Sequence, residues 1–121
     1  MEKRLITACV ADLTPDREQK LRQAAEQNGF ALNVVQKGQY TAQDLAGSEI
    51  LFGNYPAAML KEVSSLKWAA TASAGVDSYC SDDLYPNPDV ILTNSSGAYG
   101  VAIAEHLLTC ALMLMRRMRE Y

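Results

Sequence analysis

Apolar residues gather along this chain into short unbroken runs, separated by polar and amphipathic stretches. Leu5-Ile6-Thr7-Ala8-Cys9-Val10 is the first run. A run of strand length without a polar face marks a strand buried on both sides. Thr14-Pro15 then predicts a helix to about Asn28, with Thr14 as cap and Pro15 at the first helical position. Leu21, Ala24 and Ala25 form its inward stripe, while Arg17, Glu18, Lys20 and Arg22 face water. Asn28-Gly29 closes it, and Phe30–Val35 reads as the second strand. A short helical piece near Thr41–Ala46, a strand at Glu49–Phe52, a helix at Pro56–Leu66 and a strand at Trp68–Ala72 follow. A short helix near Ser81–Leu84, a loop holding Pro86 and Pro88, and a fifth strand at Val90–Thr93 complete the series. Strictly alternating strands and helices predict an α/β fold: a flavodoxin-like open parallel sheet of five strands, with helices on both faces.

The last segment departs from this pattern. Asn94-Ser95-Ser96-Gly97 offers caps for a helix from about Tyr99 to Arg119. Its Leu107, Leu108, Cys110, Leu112, Met113, Leu114 and Met115 point all round a 3.6-residue turn. Such a helix needs burial on every side, more than a five-stranded layer supplies. A further domain or another subunit is expected to cover it. A membrane span needs about 20 unbroken apolar residues, and Glu105 and His106 interrupt this stretch. Arg116, Arg117 and Arg119 suit the negative end of the helix dipole.

Composition narrows the partners. The 121 residues are 49% hydrophobic and 21% charged, enough for one core. A net charge of −3, with few aromatics and none interleaved with Lys or Arg, excludes a nucleic-acid surface. Met1-Glu2-Lys3-Arg4 leads directly into the first strand and is not a signal peptide. Cys9, Cys80 and Cys110 have no CxxC spacing and read as reduced thiols of a cytoplasmic protein.

Three loops are expected at the carboxyl edge of the sheet, where open α/β folds bind ligands. Ala72-Ser73-Ala74-Gly75-Val76-Asp77 follows the fourth strand. Gly75 there permits backbone geometry that other residues resist, so successive amides of Ala74, Gly75 and Val76 can turn inward as an anion nest. An ordinary strand-to-helix turn capped by Asp77 is the alternative. Asn54-Tyr55-Pro56 follows the third strand, and Ser96-Gly97-Ala98-Tyr99-Gly100 the fifth. Asn54 and Asn94 suit turns, and Tyr55 and Tyr99 offer a hydroxyl and an apolar wall. No catalytic set accompanies them: His106 and Glu105 are adjacent on a helix and point about 100° apart. Asp82-Asp83 is a solvated acidic turn. The chain holds no metal cluster, no GxxxxGK[ST], and no Gly-x-Gly-x-x-Gly; Gly97-x-x-Gly100 lacks the preceding glycine and the βαβ context.

Two segments carry a resemblance. Leu66–Asp77 resembles a strand and loop of the NAD-dependent D-isomer-specific 2-hydroxyacid dehydrogenases, and Val90–His106 resembles their last substrate-domain strand and interdomain helix. Residues 1–65 agree only in strand–helix pattern. The resemblance implies a substrate-binding domain over 1–97 and an interdomain helix over 98–121, leading to an absent NAD(P)-binding domain. It further implies that Ala74 and Gly75 grip the substrate carboxylate by their amides, with Val76 beside them. Asn54, Tyr55 and Tyr99 would border the substrate, and Ile103 would lie near the nicotinamide.

The complete enzyme, expected as a homodimer, would interconvert 2-keto and D-2-hydroxy acids with NAD or NADP. Its catalytic arginine, glutamate and histidine would lie beyond Tyr121, leaving this part inactive alone. The alternative is a non-catalytic flavodoxin-like module for a small carboxylate or a protein partner. A phosphoacceptor version fits poorly, because Asp12 stands without an acidic neighbour, Asn54 follows the third strand, and no lysine follows Thr93.

Overall fold

The computed structural model describes residues 4–36 and 38–121; the N-terminal residues 1–3 read above lie outside them. Five strands run parallel in the order β2-β1-β3-β4-β5: β1 Arg4–Val10, β2 Phe30–Gln36, β3 Ser48–Gly53, β4 Trp68–Thr71 and β5 Ile91–Thr93. The helices are α1 Pro15–Gln27, α2 Ala42–Leu45 and α3 Gly100–Met115. The expected α/β open parallel sheet is present, with its order reversing between β1 and β3.

Side-chain alternation along the strands divides the sheet into two unequal faces. On one face, Cys9, Leu51 and Ala69 pack with Leu45, Tyr55, Leu60, Val63 and Leu66 into the main core. Thr7 and Ser48 are also buried here, and their hydroxyls bond to each other at 2.7 Å. On the other face α1 lies against β2 and β1, burying Ala25, Ala8 and Phe30. Beyond it the sheet is bare. Phe52 is 42% exposed, Trp68 41% and Ile91 62%. Phe52 and Trp68 border a trough of about 680 Å³ that also touches Leu21, Ala24 and Ala70. The expectation of strands buried on both sides is therefore corrected for β3, β4 and β5, because one helix is too narrow to roof five strands.

Local chemistry accounts for the helices. Pro15 starts α1 after an extended Thr14, whose side chain makes no capping bond. Lys20–Asp16 and Arg22–Glu18 pair across its outer face at 2.8 and 2.6 Å. Ala24, expected to point inward, is instead exposed to the trough. In α2, Thr41 and Asp44 form a capping box.

Three expected helices come out differently. Pro56–Leu66 is a 3₁₀ turn at Ala57–Glu62, short enough for Leu60, Val63 and Leu66 all to reach the core. Ser81–Leu84 is a 3₁₀ turn at Asp82–Leu84, with Asp83 paired to Lys61 at 2.8 Å. The last helix stops at Met115 rather than Arg119: Arg117 takes the left-handed conformation at φ 53°, and Met118–Glu120 forms a 3₁₀ turn.

α3 buries none of its residues. Val101, Ile103, Leu107, Leu108, Leu112 and Leu114 all stand exposed. Among the described residues no helix is long and apolar enough to cross a membrane.

Candidate functional site

The carboxyl edge of the sheet gathers the loops after β3, β4 and β5. The last two are laced together. Asn94 donates from Nδ2 to the carbonyl of Ala74 at 2.7 Å. The Ser95 amide donates to the Ser73 carbonyl at 3.1 Å, and its hydroxyl to the Thr71 carbonyl at 3.2 Å. Tyr99 reaches the Ala72 carbonyl with its hydroxyl at 3.4 Å. Within the first loop, the Ser73 hydroxyl donates to the Gly75 carbonyl at 2.8 Å. These bonds consume carbonyls. The amides of Ala74, Gly75 and Val76 bond to no protein acceptor among the described residues. Ala74 and Gly75 are exposed and Val76 is half-buried.

The expected loop is thus a strip of free donors with its acceptors already occupied, and it ends in a 3₁₀ turn at Asp77–Tyr79. Asp77 is the first residue of that turn and not its cap, which is Val76. Gly75 needs correction as well. Its φ is not in the left-handed region, and a Cβ there would meet nothing within 4 Å. Its glycine leaves open space over the amides instead of enabling a forbidden geometry. The positions that do require glycine flank it: Gly97 turns at φ 81°, and Gly53 at φ 112°.

The loop after β3 behaves differently. The Asn54 amide bonds to the Cys9 carbonyl at 2.8 Å, and the Asn54 carbonyl accepts the Tyr40 hydroxyl at 2.8 Å. Asn54 itself is exposed, beside a recess of about 420 Å³ with Gly38, Tyr40, Tyr55, Pro56, Met59 and Tyr79. Tyr55 points inward and is 3% exposed. Its ring meets Tyr79 edge to face at 5.7 Å, and its hydroxyl has no partner among the described residues. The Tyr79 hydroxyl donates to the Tyr55 carbonyl, and the Tyr85 hydroxyl to the Tyr79 carbonyl at 2.7 Å.

Burial holds this cluster neutral. It pushes the Cys9 thiol up to about 11 and the Tyr40 phenol up to about 12, and it raises Tyr55, Tyr79 and Tyr85 too. A buried neutral thiol is no nucleophile. The recess and the Ala74–Val76 strip are separate features: Asn54 and Tyr55 line the former, while Asn94 and Ser95 edge the trough on the bare face.

Ile103 lies in the first turn of α3 and is 56% exposed. His106 sits one turn further, its Nε2 3.5 Å from the Cys110 Sγ. The latch residues Ser73 and Ser95 and the tyrosines at 40, 79 and 85 escape a motif-based reading. Only the Asn94-Ser95 step at a strand end signals the latch. No protein-family model, no curated protein and no solved structure matches this chain.

Proposed function

We propose that the chain binds the carboxylate of a small 2-keto or 2-hydroxy acid, as the substrate-binding part of a D-2-hydroxyacid dehydrogenase. The observation that carries this reading is the strip of unpaired amides at Ala74, Gly75 and Val76, set at the carboxyl end of a parallel strand. A carboxylate accepts from two or three such donors at once. Held there, the acid has its 2-carbon beside Tyr99 and the start of α3, the side from which a nucleotide domain would deliver hydride. The chain's contribution is orientation. NAD or NADP, the arginine that polarises the keto oxygen and the histidine–glutamate proton donor belong to the further domain, and no step of theirs is assigned to residues here.

No Lys or Arg lies within 72–76 or 94–99, so neither loop itself supplies a counter-charge. Hydrogen bonds to a charged group contribute roughly 1.5–3 kcal/mol each. Two of them, set against the cost of association, give affinity of about millimolar or weaker. Backbone ¹⁵N–¹H spectra titrated with pyruvate, glyoxylate and oxamate read such weak binding directly. Shifts concentrated at Ala74, Gly75 and Val76 are expected. Shifts scattered evenly, or centred on the Tyr40–Tyr79 recess, overturn the reading and favour a module that engages a partner in another way. The purified chain with NADH is expected to show no measurable turnover of these acids.

A further inference from the structure

The amides of Ala74, Gly75 and Val76 can grip one anion together only while their peptide units keep their orientation, and each unit is held by different bonds. In a trans peptide the carbonyl and the following N–H lie on opposite sides of one rigid plane, and no cis peptide occurs among the described residues. Fixing a carbonyl therefore fixes the amide of the next residue. The Ser73 carbonyl, which sets the Ala74 amide, accepts from the Ser95 amide at 3.1 Å and from the Thr71 hydroxyl at 3.3 Å. The Ala74 carbonyl, which sets the Gly75 amide, accepts from the Asn94 side chain at 2.7 Å. The Gly75 carbonyl, which sets the Val76 amide, accepts from the Ser73 hydroxyl alone among the described residues, at 2.8 Å.

This third unit is the one most in need of a restraint. It begins at Gly75, which lacks the Cβ that limits backbone rotation at other residues, and the space around that position is open to 4 Å. Without a restraint the Gly75–Val76 unit is free to turn over, which would replace the N–H facing an anion by a carbonyl and set oxygen against oxygen. The chain on either side is already anchored. The Val76 carbonyl accepts the Tyr79 amide at 2.7 Å, and the Ser73 carbonyl is tied both to β4 and to the loop after β5. The Ser73 hydroxyl reaches two residues ahead and closes the interval between these fixed ends.

We infer that Ser73 is a positioning residue for anion binding: by holding the Gly75 carbonyl, it presents the Val76 amide to a carboxylate as the third donor beside Ala74 and Gly75. Ser73 acts through the Gly75–Val76 peptide and does not itself touch the anion. The inference rests on the carboxylate reading and adds to it the number of donors and the side chain that sets the last of them.

Pyruvate titration of wild type, S73A and S73T tests it by backbone ¹⁵N–¹H spectra, with N–H residual dipolar couplings measured in weakly aligned protein before ligand is added. S73A keeps the main-chain bonds of Ser73 and is expected to fold as wild type does. Its Val76 coupling is expected to change while those of Ala74 and Gly75 are kept. Pyruvate should bind it about three- to tenfold more weakly, as loss of roughly one hydrogen bond implies. The Val76 shift should vanish while the Ala74 and Gly75 shifts persist, and S73T, which retains the hydroxyl, should restore both coupling and affinity. A native Val76 coupling with wild-type affinity in S73A removes Ser73 from the account and leaves the carboxylate reading standing. Equal shrinkage of all three shifts, or no recovery in S73T, shows a loop merely loosened and overturns the positioning role as well. Wild-type protein without shifts localised at Ala74–Val76 overturns the carboxylate reading and this inference with it.

Discussion

The Asn94 side-chain amide donates to the Ala74 carbonyl across 2.7 Å, so the loop leaving β5 fixes the loop leaving β4. Asn94→Ala removes that latch and leaves the Ser95 bonds in place. A loss of about 0.5–1.5 kcal/mol in unfolding free energy is expected, read by urea denaturation. Amide shifts at Ala74–Val76 on adding pyruvate should shrink as well, because a looser loop no longer presents its donors together. Unchanged stability together with unchanged titration shifts would show that the latch has no grip.

Two glycines separate backbone necessity from open space. A Cβ on Gly53 would sit 2.3 Å from the Cys9 carbonyl oxygen at φ 112°, so Gly53→Ala must shift β1 or β3. It is expected to cost more than about 3 kcal/mol, or to prevent folding, given strain and clash together. Gly75→Ala meets nothing within 4 Å and is expected to fold with near-native stability while weakening carboxylate binding. Thermal melts and the same titration distinguish the two.

The Thr7–Ser48 pair is buried, with its hydroxyls 2.7 Å apart. Thr7→Val strands the Ser48 hydroxyl and is expected to cost about 1–3 kcal/mol, as an unsatisfied buried group does. The double change Thr7→Val with Ser48→Ala removes both partners and is expected to recover most of that loss. Denaturation of the two variants, compared as a mutant cycle, gives the coupling. A double variant less stable than the Thr7→Val protein would contradict this account.

The buried thiol and phenol give a pH dependence on the alkaline side. Burial raises the Cys9 thiol from 9.0 to about 11 and the Tyr40 phenol from 10.0 to about 12. In the unfolded chain both ionise at their ordinary values. Above pH about 9 the unfolded state therefore holds fewer protons than the folded one, and stability falls. From neutral pH it is expected to be steady up to about pH 9 and to decline through the Cys9 window and then the Tyr40 window. Urea midpoints across this range measure it. Cys9→Ala, though less stable throughout, should decline less steeply over the first window.

Much of this architecture is legible in the residues. Apolar runs such as Leu5–Val10 and Phe30–Val35 mark their strands, and Thr14-Pro15 marks the start of α1, because those signals are local. Tertiary competition hides the rest. Nothing near Pro56–Leu66 announces a 3₁₀ turn; the need to seat Leu60, Val63 and Leu66 in one core decides it. Phe52, Trp68 and Ile91 look like core residues, and only the narrow reach of α1 leaves them bare. At the site, the chain order brings Ala74–Val76 to the sheet edge, yet which glycine carries the unusual backbone is invisible. Gly53 and Gly97 carry it, and Gly75 does not. Tyr55 reads as a loop residue, and its burial follows from Tyr79, which lies more than twenty positions away.

The isolation of α3 has a consequence for cooperativity. A helix of 16 residues that buries none of them must hold itself together mainly by its own backbone bonds, which is marginal at about this length. Its amides can therefore open and exchange with solvent while the β1–β3 centre stays closed. Hydrogen exchange is expected to separate the sheet from residues 100–115, with the helix amides exchanging first. Partner binding would register first as slowed exchange in residues 100–115, before any change in the unfolding midpoint of the sheet.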